Sequence, residues 1–170
     1  KMKLSKWTVN RISDFAEIVA GGTPSTSVDE YWNGNLGWIT PADLSNYKCR
    51  YISRGERNIT ELGLKKSSAY LLPKNTVLLS SRAPIGYVAI AEAELATNQG
   101  FKNLICDEAK VDYRFIYYWL SLNTEVLKSF ASGATFPEIS ASKIKKIKAI
   151  LPDLPTQKRI ADILSTYDDL

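Results

Sequence analysis

Three observations in the sequence are consistent with an α+β domain. Segments with strand character gather between Leu36 and Cys106. A long apolar block with helical periodicity fills Asp112 to Ala131. A second helical block closes the chain from Thr156 to Leu170.

Taken in order, Arg11 to Val19 reads as a short amphipathic helix. Ile12, Phe15, Ile18 and Val19 share one face, and Ser13 or Asn10 can cap it. Gly21 and Gly22 read as its end, because glycine accepts the left-handed conformation of a helix C-terminus, and Pro24 forbids continuation. Thr23 to Ser27 is then a hydroxyl-rich loop. Leu36 to Thr40 reads as a strand broken by Pro41, and Thr60 caps a brief helix through Lys66. Pro73-Lys74-Asn75 is a turn, followed by strand Thr76 to Ser81. Arg82-Ala83-Pro84 bends the chain into strand Ile85 to Ala91, and a third strand ends over Leu104 to Cys106. Lys74 to Cys106 therefore reads as an antiparallel unit with short connections. In the helical block, Asn123-Thr124 splits two helices and Gly133 closes the second. Ser140 caps a single turn, Ile147 to Leu151 is a last strand, and Pro152 and Pro155 bracket a break. Thr156 to Leu170 carries Ile160, Ile163, Leu164, Tyr167 and Leu170 on one seam, the spacing of a partner-seeking helix. It runs to the last residue without a stop signal and reads as cut short. Lys1 ahead of Met2 reads as a cloning remnant.

The chain has 170 residues, 45% of them hydrophobic and 24% charged, which suits one globular domain with a core. Net charge is +4. Lys48 to Lys66 holds six basic and two acidic residues, a local excess equal to that of the whole chain. A second cluster is Lys143, Lys145, Lys146 and Lys148. Such local excess is what phosphate contact requires, and equally what a solvated face displays. No signal peptide or apolar run long enough for a bilayer is visible, so a cytoplasmic location is the default expectation.

Enzyme chemistry finds little to stand on. There is no histidine, which removes histidine bases, histidine-assisted nucleophiles and histidine metal ligands. Cys49 and Cys106 form no CxxC pattern. Neither a GxGxxG nor a GxxxxGK[ST] loop occurs. The adjacent carboxylates Asp107-Glu108 and Asp168-Asp169 read as caps and solubilising groups. No cofactor and no metal are expected.

Five polar, ring-containing loops remain: 21–27, 38–44, 80–86, 97–101 and 133–137. The hydroxyls of Thr23, Ser25, Thr26, Ser27, Thr40 and Thr135 can donate to phosphate oxygens. Arg82 can grip a phosphate or a guanine edge, and Asn98 and Gln99 have the amide geometry for adenine. Arg54 and Arg57 are candidates because nothing in a core needs them, and Lys102, just past the amides, can hold a phosphate. The other reading is that these residues brace turns. It is favoured for the glycines, the prolines and Asp43, and it stays open for Asn98 and Gln99. Trp32 and Trp38 read as core or loop braces.

In this order the five segments resemble the target-recognition domain of type I restriction-modification specificity subunits. Gly21 to Trp38, with Tyr31-Trp32-Asn33-Gly34 before Trp38-Ile39-Thr40, is similar to that family's opening motif. Ala96-Thr97-Asn98-Gln99-Gly100-Phe101 is similar to its middle. Leu151-Pro152-Asp153-Leu154-Pro155-Thr156-Gln157-Lys158-Arg159-Ile160-Ala161 is similar to its junction into a spacer helix. The resemblance implies a mixed, twisted, partly closed β-sheet with flanking helices. It divides the chain into a recognition domain, 1–154, and the start of a spacer or dimerisation helix, 155–170. It implies a non-catalytic reader of one half of a bipartite site in double-stranded DNA. The partners implied are methyltransferase subunits, which flip and methylate an adenine, and a restriction subunit. A second copy or second recognition domain is a further implied partner, and Ile160, Ile163, Leu164 and Tyr167 are the implied partner-helix residues. Other readings stay open: a metal-dependent nuclease, an interaction module acting through the last helix, or the recognition domain of a single-chain restriction-methylation enzyme.

Overall fold

The computed structural model describes residues 6–170, so the expectation about Lys1 and Met2 lies outside the described residues. The α+β class holds. The strands are β1 Thr8–Arg11, β2 Ala16–Ala20, β3 Trp32–Ile39, β4 Tyr51–Ile52, β5 Val77–Leu79, β6 Val88–Ala91, β7 Leu95–Thr97, β8 Lys102–Cys106 and β9 Lys148–Leu151. The helices are α1 Pro41–Leu44, α2 Glu61–Lys65, α3 Tyr113–Leu122, α4 Thr124–Ser129, α5 Ala141–Lys146 and α6 Leu154–Asp168.

A five-stranded mixed sheet in the order β2-β8-β5-β6-β4 forms the centre. Its end strands β2 and β4 do not pair with each other, so it stays open. β5 runs antiparallel to β6 and β8, while β4 lies parallel to β6. Two short pairs flank it: antiparallel β1–β9 and parallel β3–β7. Lys74 to Cys106 is thus antiparallel only in part, because β7 leaves the sheet to pair with β3.

Strand β5 shows why the molecule is layered. Val77 and Leu79 point into a core shared with Phe115, Ile116 and Leu120 of α3. Leu78, between them, points the other way, into a core shared with Ile39, Leu95 and Phe101. Side chains alternate across a strand, so a run of three buried residues needs cover on both faces. α3 supplies one cover and the β3–β7 pair the other. Full burial of each such side chain is worth about 2 kcal/mol.

The helix expected over Arg11–Val19 is absent. Ile12 to Asp14 makes one 3-10 turn between β1 and β2. Ile12, Phe15 and Ile18 are buried, yet β1 pairs with β9, and β2 pairs with β8 from Ala16↔Cys106 to Ala20↔Lys102. Sheet pairing overrides the local period. Gly21 therefore caps no helix. A Cβ there would collide with the Asn98 carbonyl oxygen, so its role is close approach of two backbones.

Caps are where local chemistry and structure agree best. Asp112 accepts from the Arg114 and Phe115 amides at the start of α3. Thr60 accepts from Gly63 N and Ser140 from Lys143 N. α6 starts two residues earlier than expected. Asp153 accepts from Thr156 N, and Pro155 sits in the first turn, where a missing N–H costs nothing.

α6 packs back on α3, although not along the expected seam. Ala161 and Gln157 are buried, and Ile160 packs partly on the core. The Asp112 amide donates to the Gln157 side-chain oxygen at 3.0 Å. Ile163, Tyr167 and Leu170 stay 50%, 71% and 97% exposed. The five seam residues thus divide between an inner and an outer face. Two charged clamps secure the helix. Arg114 bridges Asp112 at 2.9 Å and Asp162 at 2.7 Å. Arg50 reaches Asp168 at 3.3 Å and Asp169 at 3.0 Å, and the Tyr118 hydroxyl donates to Asp168 at 2.6 Å.

Candidate nucleic-acid interface

The fold brings the five polar loops together. Gly22 N donates to Thr97 O at 2.9 Å, joining loop 21–27 to loop 97–101. Asn98 N donates to Ile39 O at 2.9 Å, joining loop 38–44. Ser81 N donates to Gly100 O at 2.8 Å, and Ile139 N to Ser81 O at 2.9 Å, which brings in loops 80–86 and 133–137. Loops more than 100 positions apart in sequence are therefore tied into one main-chain network.

Within it the expected site residues take distinct places. The Thr23 hydroxyl donates to the Gln99 side-chain oxygen. Ser25 and Ser27 share a hydrogen bond at 2.9 Å, and Thr26 is exposed beside them at the tip of the loop. The Asn98 side-chain oxygen accepts from Gly100 N at 2.8 Å, so it braces the loop while its amide nitrogen has no partner among the described residues. The Thr40 hydroxyl is committed to Asp43 at 2.8 Å, in a reciprocal cap that opens α1. Thr135 is exposed.

The two tryptophans form the floor. Trp38 donates to Gly22 O at 2.9 Å and Trp32 to Ser25 O at 3.0 Å, and their rings meet edge to face at 5.0 Å. They brace loops, as expected. Above Trp32 lies the Arg57 guanidinium, 3.9 Å from the ring centroid. It makes no hydrogen bond or ion pair among the described residues and is exposed, so its donors are left to solvent from a cation–π contact. Arg54 reaches the Gly34 and Asn35 carbonyls at 3.2 and 3.4 Å.

Lys102 is not on the surface. It is 8% exposed, and its ammonium is held by Glu138 at 3.0 Å and Ser81 at 3.3 Å. Strand β8 turns it inward, and the same Glu138 meets Arg82 Nε at 3.3 Å. Burial alone would raise the Glu138 pKa, but Lys102 and then Arg82 hold it below its ordinary value. Lys102 thus pins loops 80–86 and 133–137 through one carboxylate.

The basic stretch 48–66 divides. Arg50 turns away to the α6 clamp, while Arg54 and Arg57 join the loop face. Asp43 braces its neighbourhood, the reading favoured for it from the sequence, and Asn58, which the sequence did not single out, is a second brace. The Asn58 side-chain oxygen accepts from Gly55 N and Trp38 N at 3.2 and 3.3 Å, and Asp43 accepts from Glu56 N at 2.8 Å. Asn58 bonds back to Gly55 three residues earlier, a local side-chain–backbone pairing, whereas the Asp43–Glu56 bond spans 13 positions and has no local signal.

Among the described residues no group of three or more His, Cys, Asp or Glu is placed to hold a metal. Burial, helped by Glu108 and Asp112, pushes the Cys106 thiol up to about 12. No described helix is long and apolar enough to cross a membrane.

The family model described as "Type I restriction modification DNA specificity domain" matches residues 4–170. The chain is 49% identical over 166 residues to the type I restriction enzyme MjaIX specificity subunit of Methanocaldococcus jannaschii, covering 96% of this chain and 38% of that protein. It is 28% identical over 166 residues to the EcoR124I/EcoR124II specificity subunit of Escherichia coli, covering 94% and 40%. The chain thus spans about two-fifths of the length of these relatives. Its fold is like that of the type I restriction-modification S subunit of M. genitalium, with a TM-score of 0.71 at 20% identity over 99% of this chain and 41% of that one. A chain from a structure of type I system assembly and conformational transition gives 0.73 at 22%, covering 96% and 38%.

Proposed function

The chain belongs to the type I restriction-modification DNA specificity domain family, and from that premise we propose that its loop face reads double-stranded DNA by sequence, as one non-catalytic half of a bipartite reader. The observation that carries this is Arg57. Its guanidinium carbon lies 3.9 Å from the Trp32 ring centroid, and its donors have no partner among the described residues. That is a preorganised fork for guanine O6 and N7. Arg54 and Arg82, the Asn98 and Gln99 amides, and the Thr23, Ser25, Thr26, Ser27 and Thr135 hydroxyls surround it as base or phosphate contacts. Thr40 and Lys102 hold this surface in place from behind.

Chemistry then lies with separate methyltransferase and restriction subunits. The outer stripe of α6, Ile163, Tyr167 and Leu170, with half-buried Ile160 and Leu164 at its margin, supports a role for this helix in meeting them, a second copy or a second recognition domain. Residues 155–170 serve in this reading as the start of the spacer and 1–154 as the reader. A cytoplasmic place follows from such partners.

The test is selection from a random duplex pool at low salt, with sequencing of the retained DNA and repetition at higher salt. A short enriched motif bound with strong salt dependence is expected. A folded chain that retains no duplex at low salt, alone or with a methyltransferase subunit, overturns the reading.

A further inference from the structure

One side chain on the loop face was not among the expected contacts. Phe136 is 85% exposed, whereas Trp32 and Trp38, which brace the linked loops, are 6% and 5% exposed. A lone exposed phenylalanine is ordinary on a protein surface. The support and position of this one are not.

The loop carrying it is pinned at both ends. Ser132 and Glu138 exchange both backbone hydrogen bonds at 3.0 Å. Gly133 takes φ +110°, a conformation that a side chain would strain. Pro137 restricts the backbone of Phe136 itself. The Glu138 carboxylate is gripped by Lys102 at 3.0 Å and Arg82 at 3.3 Å. The ring is therefore held out on a fixed arm, at one lip of a hollow lined by Arg82, Ala83, Phe136, Pro137 and Glu138. Ser81, next to Arg82, is bonded to Gly100, so this hollow adjoins the Asn98–Gln99 loop. Arg82 spends only Nε on Glu138, and its two terminal nitrogens have no partner among the described residues.

We propose that Phe136 is a wedge: its ring enters the base stack of duplex DNA bound on the loop face, while Arg82 holds a flanking phosphate. The inference rests on the proposed DNA reading of this face. An apolar ring beside a cation suits a duplex, since inserted apolar side chains part a base step while arginine answers the charged backbone. A pinned arm also lowers the ordering cost of insertion.

The test uses the duplex enriched from the random pool, with 2-aminopurine placed at each position in turn. Wild-type binding is expected to brighten the probe at one step, where stacking is lost. Phe136→Ala is expected to bind about tenfold or more weakly and to lose that signal. Its salt dependence and melting curve stay those of the wild type. Phe136→Trp is expected to restore both affinity and signal. Arg82→Ala, by contrast, lowers the salt dependence by about one phosphate. Wild-type binding with no brightening at any position overturns the wedge, as does undiminished binding by Phe136→Ala. So does a pattern in which uracil in place of one thymine reproduces the Phe136→Ala loss without brightening, since that assigns the ring to a thymine methyl. Failure of the wild type to bind any duplex overturns the DNA reading and the wedge together.

Discussion

The α6 side and the loop side of the molecule use the same residue type in opposite ways. At α6, Arg114 is satisfied by Asp112 and Asp162, and Arg50 by Asp168 and Asp169. On the loop face, Arg57 lies on a tryptophan and pairs with no acid among the described residues, and Arg54 bonds to carbonyls. An arginine answered by carboxylates fixes one element against another. An arginine propped on a ring or a carbonyl keeps its charge for something outside. Net charge cannot separate these uses, since all four count alike in the +4 of the chain.

The sharpest way to break this comparison is Arg114→Ala. It leaves the nearly buried Asp112 carboxylate without its counter-ion, so stability should fall by about 3 kcal/mol, roughly 6–12 °C in melting temperature. The salt dependence of DNA binding should not change. A melting curve like the wild type's would show that the clamp is ornamental. Arg57→Ala should do the reverse. It costs about 2 kcal/mol in affinity for the selected duplex and relaxes the preference at one guanine, while stability falls by no more than about 1 kcal/mol, the worth of the contact with Trp32. Equal weakening on every sequence would demote Arg57 to a phosphate contact.

Glu138 sits between the two uses, because it is partly exposed and holds two cations. Its folded pKa is lowered, so its contribution to stability is present above its ordinary 4.5 and is lost as pH falls through the lowered folded value. Glu138→Gln should cost about 1 kcal/mol at neutral pH, given solvent screening. The gap to the wild type should then close in acid, as read by urea unfolding across pH. A gap independent of pH would show that packing and not charge explains the loss. The smallest effect is expected for Ile163→Asp, within about 0.5 kcal/mol on the melting curve, because that side chain is half exposed. A fall in mass by light scattering would assign the outer stripe of α6 to contact between copies. Unchanged mass and an unchanged melting curve would exclude that contact.

The sequence was most legible where one side chain satisfies its own neighbourhood. Asp112, Thr60 and Ser140 cap helices from within three residues, and Asn123 divides α3 from α4. It was least legible where a distant strand decides. Residues 11–19 carry a helical pattern, but their partners lie far along the chain, from Val19↔Asn103 in β8 to Arg11↔Lys148 in β9. The site followed the same rule. Its five loops were visible from their composition. That Lys102 faces inward while Arg57 faces outward depends on strand register and on Trp32, which no local pattern encodes. Arg50 was hidden for the same reason, since its acids stand more than 115 positions away.

The joints between the five loops carry a consequence for how such a surface evolves. Gly22 to Thr97, Asn98 to Ile39, Ser81 to Gly100 and Ile139 to Ser81 are all main-chain hydrogen bonds. Any amino acid but proline supplies the same N–H and C=O. Substitutions at the outward positions can therefore accumulate without loosening the frame, and, if this surface reads DNA as proposed, it can drift from one DNA word to another through folded intermediates. The glycines at the joints are the exception. At Gly21 even one added methyl would drive two backbones apart, so the grammar of the frame is tied to a few residues while its vocabulary stays free.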